Sequence, residues 1–384
     1  MFAPTVRRAL FALLLAAALP LAGAWPALAS AVPGWHVQTI VSTGTGSQGI
    51  LLDVSSDAPG DAWAAGLTVT SGSSTSPLIT RWNGTAWSQV TLPASALAKL
   101  GPNGLVSAVS AASPKNVWAF GATSVWLHYD GTTWTSGQLV KPGSSGQVLT
   151  TATLALSKSD VWAFGARVRS ARMHAYAAHF DGVKWTATSV PGTGFIVASS
   201  AVRAGDVWAI EGSGLLDPSA GRGALVHWSG AKWHSVSLPM ALASRPLSSV
   251  VARSDKDIWV GGGVTNRKKG TTEAVGHWNG RTWTVTAMPV LATSRKYAVT
   301  GLASDGHGGL WAAGACERCA GIVPSRVWHE SAGTWKRAAV ASKRPAVIVT
   351  MALAPGTTSV WGVGGIEIGK TASALIALDG NAPR

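Results

Sequence analysis

A phrase centred on tryptophan recurs seven times along the chain, and this repeat limits the possible folds more than any other feature. Two copies are NVWAFG at 116–121 and DVWAFG at 160–165, and successive copies lie 44 to 55 residues apart. Repeats of about 40–50 residues without helical periodicity are typical of propellers, in which each repeat forms one four-stranded blade. The seven tryptophans are Trp63, Trp118, Trp162, Trp208, Trp259, Trp311 and Trp361.

A second phrase alternates with the first and predicts the outer half of each blade. It runs from a histidine and an aromatic residue through a turn to another tryptophan, as in HFDGVKW at 179–185 and HWNGRTW at 277–283. The NG, DG and SG pairs favour hairpins, because such turns need residues with positive φ. Each unit therefore predicts an apolar strand A, a tryptophan strand B, a strand C that ends near the histidine, and a strand D that begins at the second tryptophan.

The two ends of the chain complement each other. The seventh unit stops at ALDGNAPR, before its second tryptophan, and PGWHVQTIV near the N-terminus supplies such a segment with Trp35. Pairing this segment with the last three strands closes the ring and leaves no bare strand edge. The sequence therefore predicts an all-β, seven-bladed β-propeller with four-stranded blades, closed by the N-terminal strand, which completes the last blade.

The first 29 residues have the pattern of a secretory signal peptide. Arg7 and Arg8 precede an apolar run, and Ala27, Leu28 and Ala29 form a small-residue cleavage site. We expect cleavage near Ala29, with residues 30–384 forming a single propeller domain that is secreted or held at the cell surface or in a periplasm. No later stretch predicts a membrane span.

The repeats resemble those of a known class of propellers. VWAFG, followed by an aromatic-turn-tryptophan segment and then by MP, resembles kelch-type repeats of galactose-oxidase-like propellers. DGHGGLWAAG at 305–314 is also similar to tectonin-like repeats. The resemblance covers the chain beyond the signal peptide and implies a fold class without implying a reaction.

Two columns of polar residues recur beside the tryptophans. A histidine or Arg81 ends strand C, and a carboxylate stands two residues before the strand B tryptophan in several blades. Because strand B begins and strand C ends on the same side of a blade, the two columns should pair and satisfy buried polar groups. With one histidine per blade, these side chains lie too far apart around the propeller to bind zinc together, because zinc needs three or four converging ligands. We therefore expect no metal and no cofactor. The predicted pairs are Asp61 with Arg81, Asp160 with His179, Asp206 with His227, and Asp257 with His277.

Positive charge is concentrated in the segments between strands B and C. The chain has 31 Lys and Arg against 17 Asp and Glu, an excess that favours contact with anionic polymers or membrane surfaces. RVRSARMH at 167–174 and TNRKKGTTE at 265–273 are predicted to be irregular loops on one rim, where a rigid scaffold usually carries recognition. The alternative is a solvated basic surface without a ligand. The candidate ligand-binding residues are Arg167, Arg169, Arg172, Arg267, Lys268 and Lys269.

GACERCAG at 314–321 contains the chain's two cysteines, Cys316 and Cys319. In an exported protein we expect a disulfide across this loop. A redox motif would normally open a helix, and the pattern predicts none here.

Three functions follow from these observations. The first is an extracytoplasmic binding module whose partner is unidentified, with anionic cell-surface polymer, glycan or another protein as candidates. The second is an extracellular glycoside hydrolase or lyase with a site in the central pocket. A hydrolase needs two carboxylates about 5–10 Å apart, and a convergent pair among Glu211, Glu273 and Glu367 would supply them. The third is a structural envelope protein.

Overall fold

The structure is a computed structural model that describes residues 34–41, 43, 47–70, 73–140, 146–170, 172–212, 223–266, 270–289, 296–316, 319, 321–368 and 371–378. The predicted signal peptide at 1–29 lies outside these ranges, as do Arg267, Lys268 and Lys269. Within them, no helix is both long enough and apolar enough to cross a membrane.

Six blades are each formed by four consecutive antiparallel strands, A to D from the axis outward. Blades one and two comprise β2 (Gln48–Ala58), β3 (Asp61–Val69), β4 (Thr75–Trp82), β5 (Trp87–Gln89), then β6 (Val106–Ser113), β7 (Asn116–Gly121), β8 (Val125–Tyr129), β9 (Trp134–Gln138). Blades three and four comprise β10 (Gln147–Ser157), β11 (Asp160–Arg169), β12 (Arg172–Phe180), β13 (Trp185–Ser189), then β14 (Phe195–Arg203), β15 (Asp206–Gly212), β16 (Ala224–Trp228), β17 (Trp233–Val236). Blades five and six comprise β18 (Leu247–Ser254), β19 (Asp257–Asn266), β20 (Gly270–Trp278), β21 (Trp283–Ala287), then β22 (Tyr297–Ser304), β23 (Leu310–Cys316), β24 (Arg326–Ser331), β25 (Thr334–Ala338).

The seventh blade joins the two ends of the chain. Its first three strands are β27 (Ala346–Leu353), β28 (Val360–Ile368) and β29 (Thr371–Leu378), and the N-terminal strand β1 (Trp35–Val41) pairs antiparallel with β29. The predicted seven-bladed propeller, closed by its N-terminal strand, is confirmed. A short strand, β26 (Val340–Ala341), also pairs with β1 in parallel and covers its outer edge.

Two short helices lie in connections between blades. One spans Ala94–Leu100 and the other Met240–Ala243, and each follows a proline. Proline suits a helix start because its fixed φ is helical and its missing N–H is not needed there. Leu100 and Leu242 point into the hydrophobic clusters between blades.

Tryptophans fill the wedges between neighbouring blades. The strand B tryptophan of one blade meets the strand D tryptophan of the next at six of the seven junctions, with the rings nearly perpendicular. Trp35 and Trp311, for example, have centroids 5.6 Å apart and an interplanar angle of 86°. Edge-to-face packing of this kind places the positive ring edge against the negative face. The two tryptophan phrases of each repeat therefore build the junctions between blades.

Every strand A carries a β-bulge opposite strand B, which inserts one additional residue into strand A. In blade two this residue is Ser107, whose hydroxyl donates to the Thr150 carbonyl of blade three at 2.8 Å. Thr300 of blade six donates in the same way to Ile348 of blade seven at 3.0 Å. Hydroxyl groups near the axis therefore hold neighbouring blades together.

The segments between strands B and C differ from the predicted irregular loops. Strands B and C are long in blades one, three, five and seven, where they continue as β-hairpins beyond the body of the blade. Arg167 lies opposite His174, and Arg169 lies opposite Arg172, within a continuous antiparallel ladder. The prediction of an irregular loop at 167–174 is therefore wrong. Among the described residues of this segment, only Val168 and Met173 pack against apolar neighbours, and basic residues flank both of them, so the short alternation resembles the sequence of a loop.

Candidate functional site

An axial cavity of about 790 Å³ runs between the strands A of all seven blades. We call the face that carries the B–C and D–A connections the B–C face, and the opposite face the A–B face. Cys316, Cys319 and Ile322, from the B–C segment of blade six, line the cavity at its B–C end. Leu52, Val197 and other apolar side chains form most of the wall. The cavity can therefore admit a small ligand or one side chain of a larger ligand.

The blade-three hairpin, formed by the ends of β11 and β12, brings three of the six predicted ligand-binding residues together. Arg167 faces His174 and Arg169 faces Arg172, with the pair of Val168 and Met173 between them, so these four side chains share one face of the hairpin. Arg169, Arg172 and His174 are exposed. Arg167 is half-buried, with its guanidinium carbon 5.5 Å from the ring centroid of Tyr176. Burial raises the pKa of Tyr176, although the Arg167 charge opposes that effect.

The four predicted polar pairs are all in hydrogen-bond contact. Asp61 Oδ1 lies 2.6 Å from Arg81 Nε, and Asp160 Oδ1 lies 2.8 Å from His179 Nε2. The corresponding distance is 2.8 Å between Asp206 and His227, and 2.9 Å between Asp257 and His277. Each of these imidazoles also stacks on the strand B tryptophan of its own blade. The geometry fits a structural role on the A–B side of the blade.

Asp257 illustrates the electrostatics of these pairs. Burial alone would raise the pKa of its carboxyl group. Arg253 donates two hydrogen bonds to it, at 2.8 and 3.3 Å, and Trp259 and His277 also donate. Together these groups hold the pKa of Asp257 below its ordinary value.

Sequence reasoning missed one pair of the same kind. In blade six, glycine occupies the carboxylate column at Gly309, but Asp305 in the preceding turn places Oδ2 2.8 Å from His329 Nε2. Its other oxygen accepts from the backbone N–H groups of His307 and Gly309, both at 2.8 Å. Burial would raise the pKa of Asp305, but these donors hold it below the ordinary value. The sequence did offer a clue, because an aspartate stands in a glycine-rich turn just before the position where this blade lacks the usual carboxylate.

Blade two replaces the carboxylate with an amide. Asn116 Oδ1 accepts hydrogen bonds from Trp118 Nε1 at 3.0 Å and from His128 Nε2 at 2.9 Å. Without a carboxylate partner, burial lowers the pKa of His128, and the more distant Asp130 only partly opposes this effect.

The three glutamates considered for hydrolysis do not converge on the axial cavity. Glu211 accepts from the backbone N–H groups of Thr193 and Gly194, at 2.8 and 2.5 Å. Glu273 is fully buried and forms an ion pair with Arg326 at 3.3 Å. Glu367 lies near the tip of the blade-seven hairpin. None of the three therefore belongs to the described wall of the axial cavity.

Asp53 is the one carboxylate among the described residues that line the axial cavity. Its Oδ1 accepts from the Val54 N–H, and its Oδ2 accepts from the Val109 N–H of blade two, both at 2.9 Å. Burial raises the pKa of Asp53 to about 7, although these two hydrogen bonds lower it. Sequence reasoning gave Asp53 no role, because the sequence does not mark the bulge in β2 that precedes it.

Cys316 and Cys319 form a disulfide at the B–C end of the cavity, with Cα atoms 5.7 Å apart. Among the described residues, no group of three or more histidines, cysteines or acidic residues could hold a metal ion.

No protein-family model matches the sequence, and no curated protein matches it either. Among solved structures, YCF48 bound to D1 peptide is similar at a TM-score of 0.57 and 17% identity, covering 92% of this chain and 96% of that chain. The extracellular domain of the putative one component system BT4673 from B. thetaiotaomicron matches at a TM-score of 0.53 and 12% identity, covering 90% of this chain and 40% of that chain. The Cps50 (Swd1) β-propeller domain of Myceliophteria thermophila matches at a TM-score of 0.53 and 8% identity, covering 86% of this chain and 98% of that chain. At these identities, the common property of the chain and these proteins is the β-propeller fold.

Proposed function

We propose that this chain is an extracytoplasmic binding module that holds its ligand on the B–C face. The observation that carries the proposal is the axial cavity of about 790 Å³, with the long hairpins of blades one, three, five and seven on the same face. A rigid propeller with projecting hairpins around a pocket is a suitable scaffold for recognition. The predicted signal peptide at 1–29, a single domain at 30–384 and a kelch-type origin of the repeats belong to this proposal.

We infer that the ligand is a polypeptide with acidic side chains. Arg167, Arg169 and Arg172 form a basic row on the blade-three hairpin, and arginine pairs well with carboxylates. Two structural neighbours fit this inference, since one is a propeller bound to a peptide and another is an extracellular domain. A glycan is less well matched, because Phe195 is the one aromatic residue among the described lining residues of the cavity.

The structure supports the hydrolase or lyase alternative less well than it supports a binding module. A hydrolase needs two carboxylates on either side of the scissile bond. Asp53 is the one acidic residue in the described part of the cavity wall, and both of its oxygens accept backbone hydrogen bonds.

The proposal is tested by binding a fluorescent poly-glutamate peptide and inorganic polyphosphate to the purified protein at low and moderate salt. Arg167, Arg169 and Arg172 are changed together to serine. A matched control changes Lys184, Lys232 and Lys256 to serine, which removes the same charge from exposed turns on the A–B face. We expect the arginine variant alone to lose peptide binding. Binding by the unaltered protein and by the lysine control should weaken with salt.

Equal losses in both variants would show that net charge, and not the B–C face, attracts the peptide. Tighter binding of polyphosphate than of the peptide would favour an anionic polymer as the ligand.

A further inference from the structure

The axial cavity has one ionisable side chain, Asp53, among its described lining residues. The two cysteines there are joined in a disulfide, and the rest of the described wall consists of apolar and hydroxyl-bearing residues. Its volume lies within the range of about 300–1,000 Å³ that is common for pockets that bind small organic molecules. The cavity therefore offers a ligand an apolar surface and a single carboxylate.

The hydroxyl groups around the cavity are largely engaged in contacts between blades. Thr151 Oγ1 donates to the Ile196 carbonyl at 2.5 Å, and Ser110 Oγ accepts from the Ala155 N–H at 2.8 Å. Asp53 differs, because a carboxylate can accept about four hydrogen bonds, and the two backbone donors to Asp53 use one on each oxygen. It can therefore still accept hydrogen bonds from a ligand.

The charge of Asp53 has no equivalent in the other blades. Asp53 directly follows the bulge of strand A, where the other blades carry Ala108, Ala152, Ala198, Ser249, Gly301 and Thr350.

Blade five shows that a hydroxyl is sufficient for the contact between blades. Ser249 Oγ accepts from the Leu302 N–H of blade six at 2.9 Å, which reproduces the bond from Val109 to Asp53. The negative charge is thus not needed to join the blades. It is also unfavourable in the cavity, since burial raises the pKa of Asp53 to about 7.

We propose that the axial cavity binds a small organic cation, a primary ammonium group on an apolar body, with Asp53 as its counter-ion and hydrogen-bond acceptor. The ammonium group donates to the carboxylate oxygens, and the apolar body packs on side chains such as Leu52 and Val197. An anionic ligand would meet no cationic side chain in the described wall. A divalent metal would need several oxygen ligands, whereas this site offers one carboxylate. The proposal does not depend on the basic row of the blade-three hairpin.

Calorimetric titration with hexylammonium, 1-hexanol and hexanoate tests the proposal, because the three probes share a similar apolar chain and differ in charge. Near pH 8, where Asp53 is ionised, we expect hexylammonium to bind about tenfold more tightly than hexanol or better, as a charge-assisted hydrogen bond allows. Hexanoate should bind most weakly. If hexylammonium binds no more tightly than hexanol, the cavity is merely apolar and the proposal fails.

The substitution Asp53→Ser introduces the residue that blade five already carries at this position. It should abolish the preference for hexylammonium and leave hexanol binding unchanged. The matched control is Thr350→Ser, at the equivalent position of blade seven, and it should keep the preference. If Asp53→Ser also keeps the preference, Asp53 is not the counter-ion.

A measurement on the unaltered protein covers the case in which the variant does not fold. Near pH 7, binding of a cation should lower the pKa of Asp53 and release protons, which titration in buffers of different ionisation enthalpy detects. Hexanol should release none, and an absence of proton release with hexylammonium overturns the proposal. Failure here leaves the peptide-binding proposal intact, because that proposal is scored on the arginine variant.

Discussion

The imidazole of His277 lies flat on the indole of Trp259, with ring centroids 3.8 Å apart and ring planes within 12° of each other. Asp257 joins the two rings, because it accepts hydrogen bonds from His277 Nε2 at 2.9 Å and from Trp259 Nε1 at 2.7 Å. The repeated histidine, aspartate and tryptophan therefore form one structural unit within a blade. This unit explains why the two sequence phrases recur together along the chain.

Removing the aspartate of this unit should destabilise the protein more in blade four than in blade three. Asp206 is buried, accepts hydrogen bonds from Trp208 Nε1 at 3.1 Å and from His227 Nε2 at 2.8 Å, and forms an ion pair with Arg203 at 3.2 Å. Asp206→Ala should lower the free energy of unfolding by about 2–3 kcal/mol, because it leaves buried donors without an acceptor. Asp160→Ala should cost about 1 kcal/mol, because Asp160 is more exposed and holds His179 alone among the described contacts. Urea unfolding of both variants measures the difference, and equal losses would contradict this account of the unit.

Much of the fold follows from the sequence because the repeat is regular. The number of blades and their closure by Trp35 need only the period and the incomplete seventh unit. Asp305 was missed because it reaches His329 from a turn, whereas the prediction assumed one fixed column for every blade. Asp53 was missed because a bulge shifts the two-residue alternation of strand A, and the residues themselves do not mark the bulge.

Because Trp35 helps to close the propeller, we expect that removing its indole lowers the free energy of unfolding substantially. Trp35 is fully buried, packs against Trp311 and belongs to the strand that completes blade seven. Trp35→Ala should lower the free energy of unfolding by about 3–5 kcal/mol, the usual cost of removing a large buried aromatic side chain. The control, His36→Ala, changes the next residue of the same strand, whose side chain is partly exposed, and it should cost less than about 1 kcal/mol. Thermal and urea unfolding measure both, and a small loss at Trp35 would show that closure contributes little to stability.

The disulfide predicts a modest contribution to stability. It joins residues only three positions apart, so it restricts a short loop of the unfolded chain. Replacing Cys316 and Cys319 by serine should lower the free energy of unfolding by about 2 kcal/mol in the loop-entropy model. Unfolding of the variant, compared with that of the unaltered protein under oxidising and reducing conditions, measures this term. A larger loss would mean that the disulfide also orders the B–C end of the cavity.

In blade two, a single substitution should restore the aspartate of the common unit and change the pKa of the neighbouring histidine. Asn116→Asp places a carboxylate beside His128 Nε2, now 2.9 Å from the amide oxygen. It should raise the pKa of His128, which burial holds below its ordinary value of 6.5. A raised pKa contributes stability that is present at acidic pH and is lost as the pH rises through the new value. The variant should therefore gain stability near pH 5.5 relative to pH 8. NMR titration of the imidazole protons measures the pKa, and the ring of His227 serves as an unaltered reference. An unchanged pKa for His128 would contradict the assigned contact.

Asp53 predicts a pH-dependent stability whose sign differs from that of the paired aspartates. Its pKa is about 7 in the folded chain against an ordinary value of 3.8, so the folded state holds a proton that the unfolded chain has already released. The unaltered protein should therefore lose stability as the pH rises from about 4 to 7. Burial and the neighbouring Asp61 also raise the pKa of Asp57 to about 7. Asp57 therefore adds to this loss equally in the unaltered protein and in an Asp53 variant.

Removing the charge with Asp53→Ser should make the variant more stable relative to the unaltered protein at pH 8 than at pH 5. The gain should be about 1 kcal/mol or more, since one pKa unit corresponds to about 1.4 kcal/mol. Urea unfolding of both proteins at the two pH values measures it. A difference independent of pH would mean that the pKa of Asp53 is not raised in the folded chain, and would contradict this account of its burial.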